Sequence, residues 1–165
     1  MIVWRRRLWS ICLAMFCLTL ILAISGCSEE TAPSGSPQND NQPPSSGPSL
    51  EQDIFDLINE ARTGNSLQPL TRDSTMDALA LQHSQDMERA NRLSHDGFDA
   101  RASDITDKLG AHSVGENVAV GYATARAFVD GWLGSEGHRN NIMTPSYKRT
   151  GIGYCEGYAT QIFCD

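Results

Sequence analysis

Three side chains from separate segments of this chain have the chemistry of metal ligands. His95 lies in a Ser-His-Asp-Gly turn, Glu116 follows a glycine that permits close approach of the backbone, and His138 follows Gly137. Two imidazoles and a carboxylate suit a divalent transition ion such as Zn²⁺, with one coordination position left open for water. Their residue types therefore make His95, Glu116 and His138 candidate ligands of a divalent cation.

Each of these residue types also has a plainer interpretation. Glu116 could be a structural carboxylate that accepts hydrogen bonds from backbone N–H groups of its own segment. His83 falls on the apolar face of a helical pattern, which predicts a hydrogen-bonded core residue rather than a ligand. His112 precedes a glycine-rich turn, where we expect an exposed loop residue.

The sequence gives only weak support for hydrolase activity. A metal ion beside a glutamate could activate water, but the chain has no His-Glu-x-x-His helix, no Gly-x-Ser-x-Gly elbow and no phosphate loop. Ser94, His95 and Asp96 are the residue types of a catalytic triad, yet adjacent residues of a turn cannot easily form its relay. The prediction is a binding module, with a metal-dependent hydrolase of the cell envelope as the alternative and no catalytic residue assigned.

The first residues have the pattern of an export signal. Arg5–Arg7 precede an almost unbroken apolar run over Leu8–Ile24, which then meets Ser25-Gly26-Cys27. Small residues directly before a cysteine resemble a lipobox, whose cysteine takes a diacylglycerol and becomes the mature N-terminus. A plain transmembrane anchor is the alternative, since the run is nearly long enough to span a bilayer. We therefore predict a signal peptide over residues 1–26 and a lipoprotein anchored through Cys27, in the outer membrane if the cell has one.

Composition predicts a tether and excludes one class of partner. Residues 27–48 are rich in Pro, Ser, Gly, Asn and Gln and cannot bury enough apolar surface to order themselves. Without the three leader arginines, ten basic and 20 acidic side chains remain, which gives a net charge of −10. Such a surface repels phosphate backbones, so nucleic-acid binding is disfavoured. The rest, residues 49–165, is long enough for one domain.

Helical patterns dominate the first part of this domain. Ser49 and Gln52 have capping-box spacing at the start of a helix that ends near Gly64, and a second helix is predicted over Ser74–Ala90 with Asp73 as its cap. We expect an extended connection over residues 67–70, a helical turn around residues 103–109, and a helix capped by Thr124. The inner face of that last helix comprises Phe128, Val129 and Trp132.

The last part of the chain changes to the pattern of strands. Residues 151–155 and 160–164 resemble two strands joined by a turn, and helices followed by strands predict an α+β fold. With Cys12 and Cys17 in the leader and Cys27 lipidated, Cys155 and Cys164 are the remaining pair. An even pair in an exported protein predicts one disulfide, here between neighbouring strands of the hairpin, and two buried free thiols are the alternative.

A series of short motifs resembles the CAP/SCP family (cysteine-rich secretory and pathogenesis-related proteins), in its bacterial SCP-like extracellular subgroup. The motifs occur in the family's order over essentially all of residues 50–165; they are LINEAR at 57–62, HSQDM at 83–87, LSHDG at 93–97, GENVA at 115–119, WLGSEGHRNNIM at 132–143, GIG at 151–153 and YATQIF at 158–163. The resemblance implies an α-β-α sandwich in which helices pack on a small antiparallel sheet.

The resemblance also implies a His/Glu/Glu/His tetrad at the base of a cleft. His95, Glu116 and His138 match three of its members. Glu136 would be the fourth, although it lies one residue further from Trp132 than the acid of plant members. It could be a ligand, a partner of a ligand, or an exposed charge near a helix end. Family members are secreted binding or signalling domains, some associated with sterols or other lipids, which implies a small lipid or a protein as the ligand; a scaffold with a vestigial tetrad is a third possibility.

Overall fold

Helices and strands alternate irregularly along residues 49–165, which are the residues that this computed structural model describes. The elements are α1 (Leu50–Gly64), β1 (Thr71–Arg72), α2 (Ser74–Ala90), α3 (Phe98–Leu109), β2 (Val114–Val120), α4 (Ala125–Gly134), α5 (Glu136–Met143), β3 (Arg149–Cys155) and β4 (Tyr158–Cys164). Within this part of the chain, no helix has the length and hydropathy needed to cross a membrane. The predicted signal peptide, the lipidated Cys27 and the tether lie outside the described residues.

The strands form one mixed sheet in the order β1-β3-β4-β2. The antiparallel pairs β3–β4 and β2–β4 agree with the predicted sheet, whereas β1 pairs with β3 in parallel. This parallel strand is two residues long, too short to show a sequence pattern. Asn59 of α1 positions it, because its amide donates to the Leu70 carbonyl at 3.1 Å and its oxygen accepts from the Leu70 N–H at 2.7 Å.

Helices cover both faces of the sheet. On one face, Phe163 packs with Ile54 of α1 and Phe128 of α4. On the other face, Ile162, which precedes Phe163 in β4, packs with Met76 of α2 and Ile105 of α3. Because neighbouring residues of a strand point to opposite faces, these two clusters lie on opposite sides of the sheet. The predicted α+β class, with helices packed on a sheet, is confirmed.

Local capping rules predict the helix starts correctly. Ser49 accepts from the Gln52 N–H, Asp73 caps α2, and Thr124 caps α4 through the Ala127 N–H. Three other elements differ from the prediction. The predicted turn at 103–109 is the end of the twelve-residue helix α3, residues 136–143 form α5, and residues 114–120 form β2. Strand β2 escapes pattern analysis because it is buried at each position from 115 to 119, polar residues included, and so shows no alternation.

Helix α2 lies unusually close to β3. A Cβ atom added to Gly151 would lie 2.1 Å from the Met76 carbonyl carbon, and one added to Gly153 would lie 2.1 Å from the Leu81 nitrogen. The Ser84 hydroxyl completes this contact by donating to the Gly153 carbonyl at 3.0 Å. The two glycines are thus required for space between the helix and the sheet.

Arg62 is fully buried and links α1 to the segment that follows α5. Its guanidinium donates to the carbonyls of Gln68 at 3.0 Å, Ile142 at 2.6 Å, Thr144 at 3.0 Å and Tyr147 at 3.2 Å. Burial lowers its pKa from the usual value. The four carbonyl dipoles compensate the loss of hydration around the guanidinium.

The predicted disulfide is wrong. Cys155 lies opposite Tyr158 at the turn of the β3–β4 hairpin, whereas Cys164 lies opposite Arg149 at the other end. Six residues of strand separate the two positions, about 20 Å, and a disulfide requires Cα atoms within about 7 Å. Both thiols are free; Cys164 is buried 3.7 Å from the sulfur of Met76, and Cys155 is half-buried. The hairpin turn comprises only residues 156–157, so the two cysteines cannot face each other.

The outer edge of β2 is closed by side chains rather than by another strand. The Trp132 indole N–H donates to the Val118 carbonyl at 3.3 Å, and the Asn141 amide donates to the Glu116 carbonyl at 3.1 Å. These bonds hold α4 and α5 against the strand that carries Glu116.

Candidate functional site

The Glu116 carboxylate is the centre of a buried polar cluster. Its side chain is 1% exposed and points from β2 toward α2 and α3. Arg101 donates from Nε to Oε2 at 2.8 Å and from Nη2 to Oε1 at 2.9 Å, and His95 Nδ1 lies 2.8 Å from Oε1. Hydrogen bonds between ionised groups in this forked geometry are among the strongest in proteins. The partners of the Glu116 carboxylate are thus side chains, not the backbone N–H groups of the plainer interpretation.

Arg101 is the residue that sequence analysis missed. It lies in the first turn of α3, which follows Gly97 in the left-handed conformation (φ 72°), and its Nη1 also donates to the Asp96 carbonyl at 2.8 Å. The side chain is 12% exposed. Arg101 lies four residues after the His-Asp-Gly turn. This spacing identifies it as a residue of the site only when the start of α3 at Phe98 is known.

The position of Glu116 determines which nitrogen of His95 is free. A carboxylate only accepts, so Nδ1 of His95 carries the proton that it shares with Glu116. In the neutral ring, Nε2 is then an unprotonated acceptor. The His95 side chain is 51% exposed, and this nitrogen is available to a ligand.

His83 lies beneath the same loop and is 2% exposed, which confirms its predicted core position. Its Nε2 lies 2.8 Å from the Ser94 carbonyl and 3.8 Å from Glu116 Oε1. Burial lowers the pKa of His83, while the bond to Ser94 raises it to a lesser extent. His83 thus fixes the loop that carries His95. His112, the other plain histidine of the sequence, is exposed between α3 and β2 as expected.

His138 lies past the end of α4, within the next helix, α5. Its carbonyl accepts from the Asn117 amide at 3.1 Å, and Asn141 in turn donates to the Asn117 oxygen at 2.9 Å. Burial lowers the pKa of His138, and the charge of nearby His95 lowers it further. A cleft shared by His95 and His138 stays a prediction.

Glu136 is exposed in the first turn of α5. A carboxylate at that position interacts favourably with the N-terminus of the helix. This corresponds to the last of the three interpretations that the sequence left open.

The described residues do not fit a divalent metal in this arrangement. Within residues 49–165, no group of three or more His, Cys, Asp or Glu side chains is placed so that it could hold a metal ion. Both oxygens of Glu116 already accept from the Arg101 guanidinium. Metal binding stays a prediction, and no step of the chemistry below depends on it.

An apolar cavity of about 240 Å³ opens beside His138. Leu93, Val120 and Tyr122 form its exposed rim, with 44%, 38% and 40% of each residue accessible, whereas Trp132 is 1% exposed. His138 forms part of the wall, and Leu93 precedes His95 by two residues. Trp132 was predicted as a core residue, and it is one, but it also lines this cavity.

Comparison with known proteins gives a consistent result. Residues 55–164 match the cysteine-rich secretory protein (CAP) family. The chain is 35% identical over 119 residues to an uncharacterized protein of Bacillus subtilis (strain 168), YkwD, covering 68% of this chain and 45% of the relative. It is 36% identical over 118 residues to an uncharacterized membrane protein of the same organism, YlbC, covering 68% of this chain and 34% of that relative. The chain thus spans less than half the length of these relatives.

Solved structures show the same fold. An extracellular protein with an SCP domain from Bacillus anthracis superposes with a TM-score of 0.65 at 32% identity, covering 72% of this chain and 45% of that one. An outer surface protein of Borrelia burgdorferi superposes with a TM-score of 0.62 at 17% identity, covering 71% of this chain and 95% of that one. At that identity the second match concerns the fold alone.

Proposed function

The chain belongs to the cysteine-rich secretory protein (CAP) family, and from this premise we propose that residues 49–165 form an extracytoplasmic ligand-binding module held at a membrane through lipidated Cys27. The observation that carries the proposal is an apolar cavity with a polar end. Leu93, Val120 and Tyr122 offer a partly exposed apolar rim, and His138 lies in the wall. Isolated exposed apolar residues need no explanation, but a concave group of them beside convergent polar groups is typical of a binding site.

The dimensions and polarity of the cavity limit the ligand class. At about 240 Å³ it is smaller than the sites of drug-sized molecules, and it suits a short acyl segment or one large apolar group. The free Nε2 of His95 accepts a hydrogen bond, and the lowered pKa of His138 favours a neutral ring there. The ligand is then an amphipathic lipid, whose hydroxyl or headgroup lies at the histidines. An apolar side chain of a protein partner is the alternative occupant.

The membrane anchor rests on the sequence alone. The arginines, the apolar run and the small residues before Cys27 are the parts of a lipoprotein signal. A tether of this composition lets the domain reach ligands at or near the bilayer surface.

A hydrolase remains the second candidate because of one observation. A histidine whose Nδ1 is held by a buried carboxylate and whose Nε2 is free has the arrangement of a general base and its orienting group. Turnover separates the two candidates, since a binding module takes up its ligand in fixed proportion and releases it unchanged.

Trp132 provides the test of ligand binding. It is the only tryptophan after residue 9, so in a fragment of residues 43–165 its fluorescence reports on the cavity. Titration with dodecanoate and with lysophosphatidylcholine is expected to change this fluorescence saturably. Leu93→Asp should weaken binding at least tenfold, because it places a charge in the apolar rim.

Leu81→Asp is the matched control for that titration. Leu81 is 39% exposed on α2, away from the cavity, so the same substitution there should leave binding unchanged. The proposal fails if neither lipid gives a saturable signal, or if the two aspartate variants weaken binding equally.

A further inference from the structure

If Glu116 were a metal ligand, a cation would lie beside its carboxylate. The guanidinium of Arg101 occupies that position. The Glu116 carboxylate is 1% exposed, and a buried negative charge requires a positive partner. That partner is part of the chain itself. We propose that Arg101 is the resident cation of Glu116 and that it excludes divalent metal ions from the His95–Glu116 pair. The proposal does not depend on which ligand occupies the apolar cavity.

The hydrogen bonds of Arg101 hold its guanidinium against Glu116, so that another cation could not easily replace it. Nε and Nη2 engage the two oxygens of Glu116, while Nη1 donates to the Asp96 carbonyl. A guanidinium is charged at every physiological pH, and its planar fork matches a carboxylate better than a lysine ammonium does. Arg101 is also held in place by the first turn of α3, so the ion pair is present in the folded domain without any added component.

A divalent ion would have to displace this arginine. Bound at Glu116, the ion would lie next to a positive charge in a site with little solvent, where like charges repel strongly. Without Glu116, the free Nε2 of His95 and the ring of His138 offer two protein ligands, fewer than the three that catalytic zinc sites use. Arg101 thus acts by positioning: it holds the Glu116 carboxylate in place, and Glu116 in turn accepts the hydrogen bond from Nδ1 of His95.

The experiment is a calorimetric titration of Zn²⁺ into the full chain in detergent at pH 7. The proteins compared are the wild type and the variants Arg101→Gln, Arg101→Lys, Glu116→Gln, Arg101→Gln/Glu116→Gln and Arg89→Gln. Arg89 is the matched control, because its exposed pair with Asp86 lies on the surface of α2 and the same cysteines remain in each variant. Arg101→Gln is expected to bind Zn²⁺ at least tenfold more tightly than the wild type and Arg89→Gln, and the gain should vanish when Glu116→Gln is added.

Two results would overturn the proposal. One is that Arg101→Gln binds Zn²⁺ no more tightly than the wild type. The other is that Glu116→Gln alone, with Arg101 intact, lowers the Zn²⁺ affinity of the wild type, since the ion would then already bind at Glu116. This second arm decides the question even if Arg101→Gln does not fold, and Arg101→Lys, which keeps the charge, should exclude Zn²⁺ as the wild type does.

Discussion

His83 is the residue whose protonation should affect the stability of the domain. Burial lowers its pKa in the folded state, so below about pH 6.5 the unfolded chain binds a proton more readily than the folded one. The stability associated with neutral His83 is present above that pH and is lost as the pH falls through the lowered pKa. His83→Gln keeps a donor toward the Ser94 carbonyl and does not titrate.

The expected result is a smaller fall in the free energy of unfolding between pH 7 and pH 5 for His83→Gln than for the wild type, by roughly 1 kcal/mol. Urea denaturation at pH 7, 6 and 5 measures it. Exposed His112 serves as the control, because His112→Gln should retain the wild-type pH dependence. Parallel pH profiles for wild type and His83→Gln would contradict the argument.

Arg62 carries a second prediction at this scale. Arg62→Met removes the donor to four carbonyls, two of them in buried hydrogen bonds, and should lower the free energy of unfolding by about 3–5 kcal/mol. Arg126→Met removes an exposed ion pair with Glu60 and should cost under about 1 kcal/mol. Urea unfolding of the two variants compares them, and an equal loss would show that the buried guanidinium contributes no more than a surface one.

The residues of the site were predictable only in part. His95, Glu116 and His138 were identified by type and by motif, and a hydrogen bond joins the first two, whereas a shared site with His138 stays a prediction. Arg101 could not be found in this way, because its bond to Glu116 joins positions 15 residues apart on different elements. No periodic pattern or local spacing encodes such a contact.

At the scale of elements, the contact between α2 and β3 depends on two missing side chains. Gly151→Ala and Gly153→Ala each place a methyl group about 2 Å from the α2 backbone, so the helix must move away from the sheet. We expect each variant to lose several kcal/mol of stability, in the range of severe overpacking or beyond it. Thermal unfolding followed by circular dichroism measures the loss.

Gly134→Ala is the control for that series. It lies at the end of α4 with nothing within 4 Å of the added atom, and alanine favours helices over glycine by roughly 0.5–1 kcal/mol. It should be neutral or stabilising. If Gly151→Ala behaved in the same manner, close packing would not be the reason for glycine at that position.

Elements were predictable where the signal is local. Side-chain caps at Ser49, Asp73 and Thr124 act within three residues, so the sequence shows them directly. Strand β2 and the parallel strand β1 were missed because long-range pairing defines them. The end of α4 and the start of α5 share Ser135 as their cap, and the sequence analysis predicted no separate helix after α4.

At the scale of the whole molecule, the thermal stability of the domain should not change when a reductant is added. Cys155 and Cys164 occupy opposite ends of a hairpin, and burial raises the pKa of both thiols. Dithiothreitol is expected to leave the melting temperature of the 43–165 fragment unchanged. Iodoacetamide should modify half-buried Cys155 first and buried Cys164 only on unfolding, as mass spectrometry would show; a melting temperature that falls with reductant would contradict this.

The anchor gives a prediction for the full chain. Cys27→Ser removes the thiol that would be lipidated, so labelling with a radioactive fatty acid should disappear and the protein should leave the membrane fraction. Cys17→Ser, in the apolar run, is the matched control and should retain the label. Label that persists in Cys27→Ser would refute lipid attachment at this position.

Neither edge of the sheet offers a long strand that is free to pair with another chain. One border is the two-residue strand β1, and at the other, indole and amide donors occupy carbonyls of β2. Open strand borders are where separate copies of a protein stack into fibrils. A lipid anchor would confine many copies to a surface at high local density, the condition under which such stacking is fastest. The Trp132 and Asn141 side chains that hold α4 and α5 in place therefore also protect this edge of the sheet from pairing with another copy.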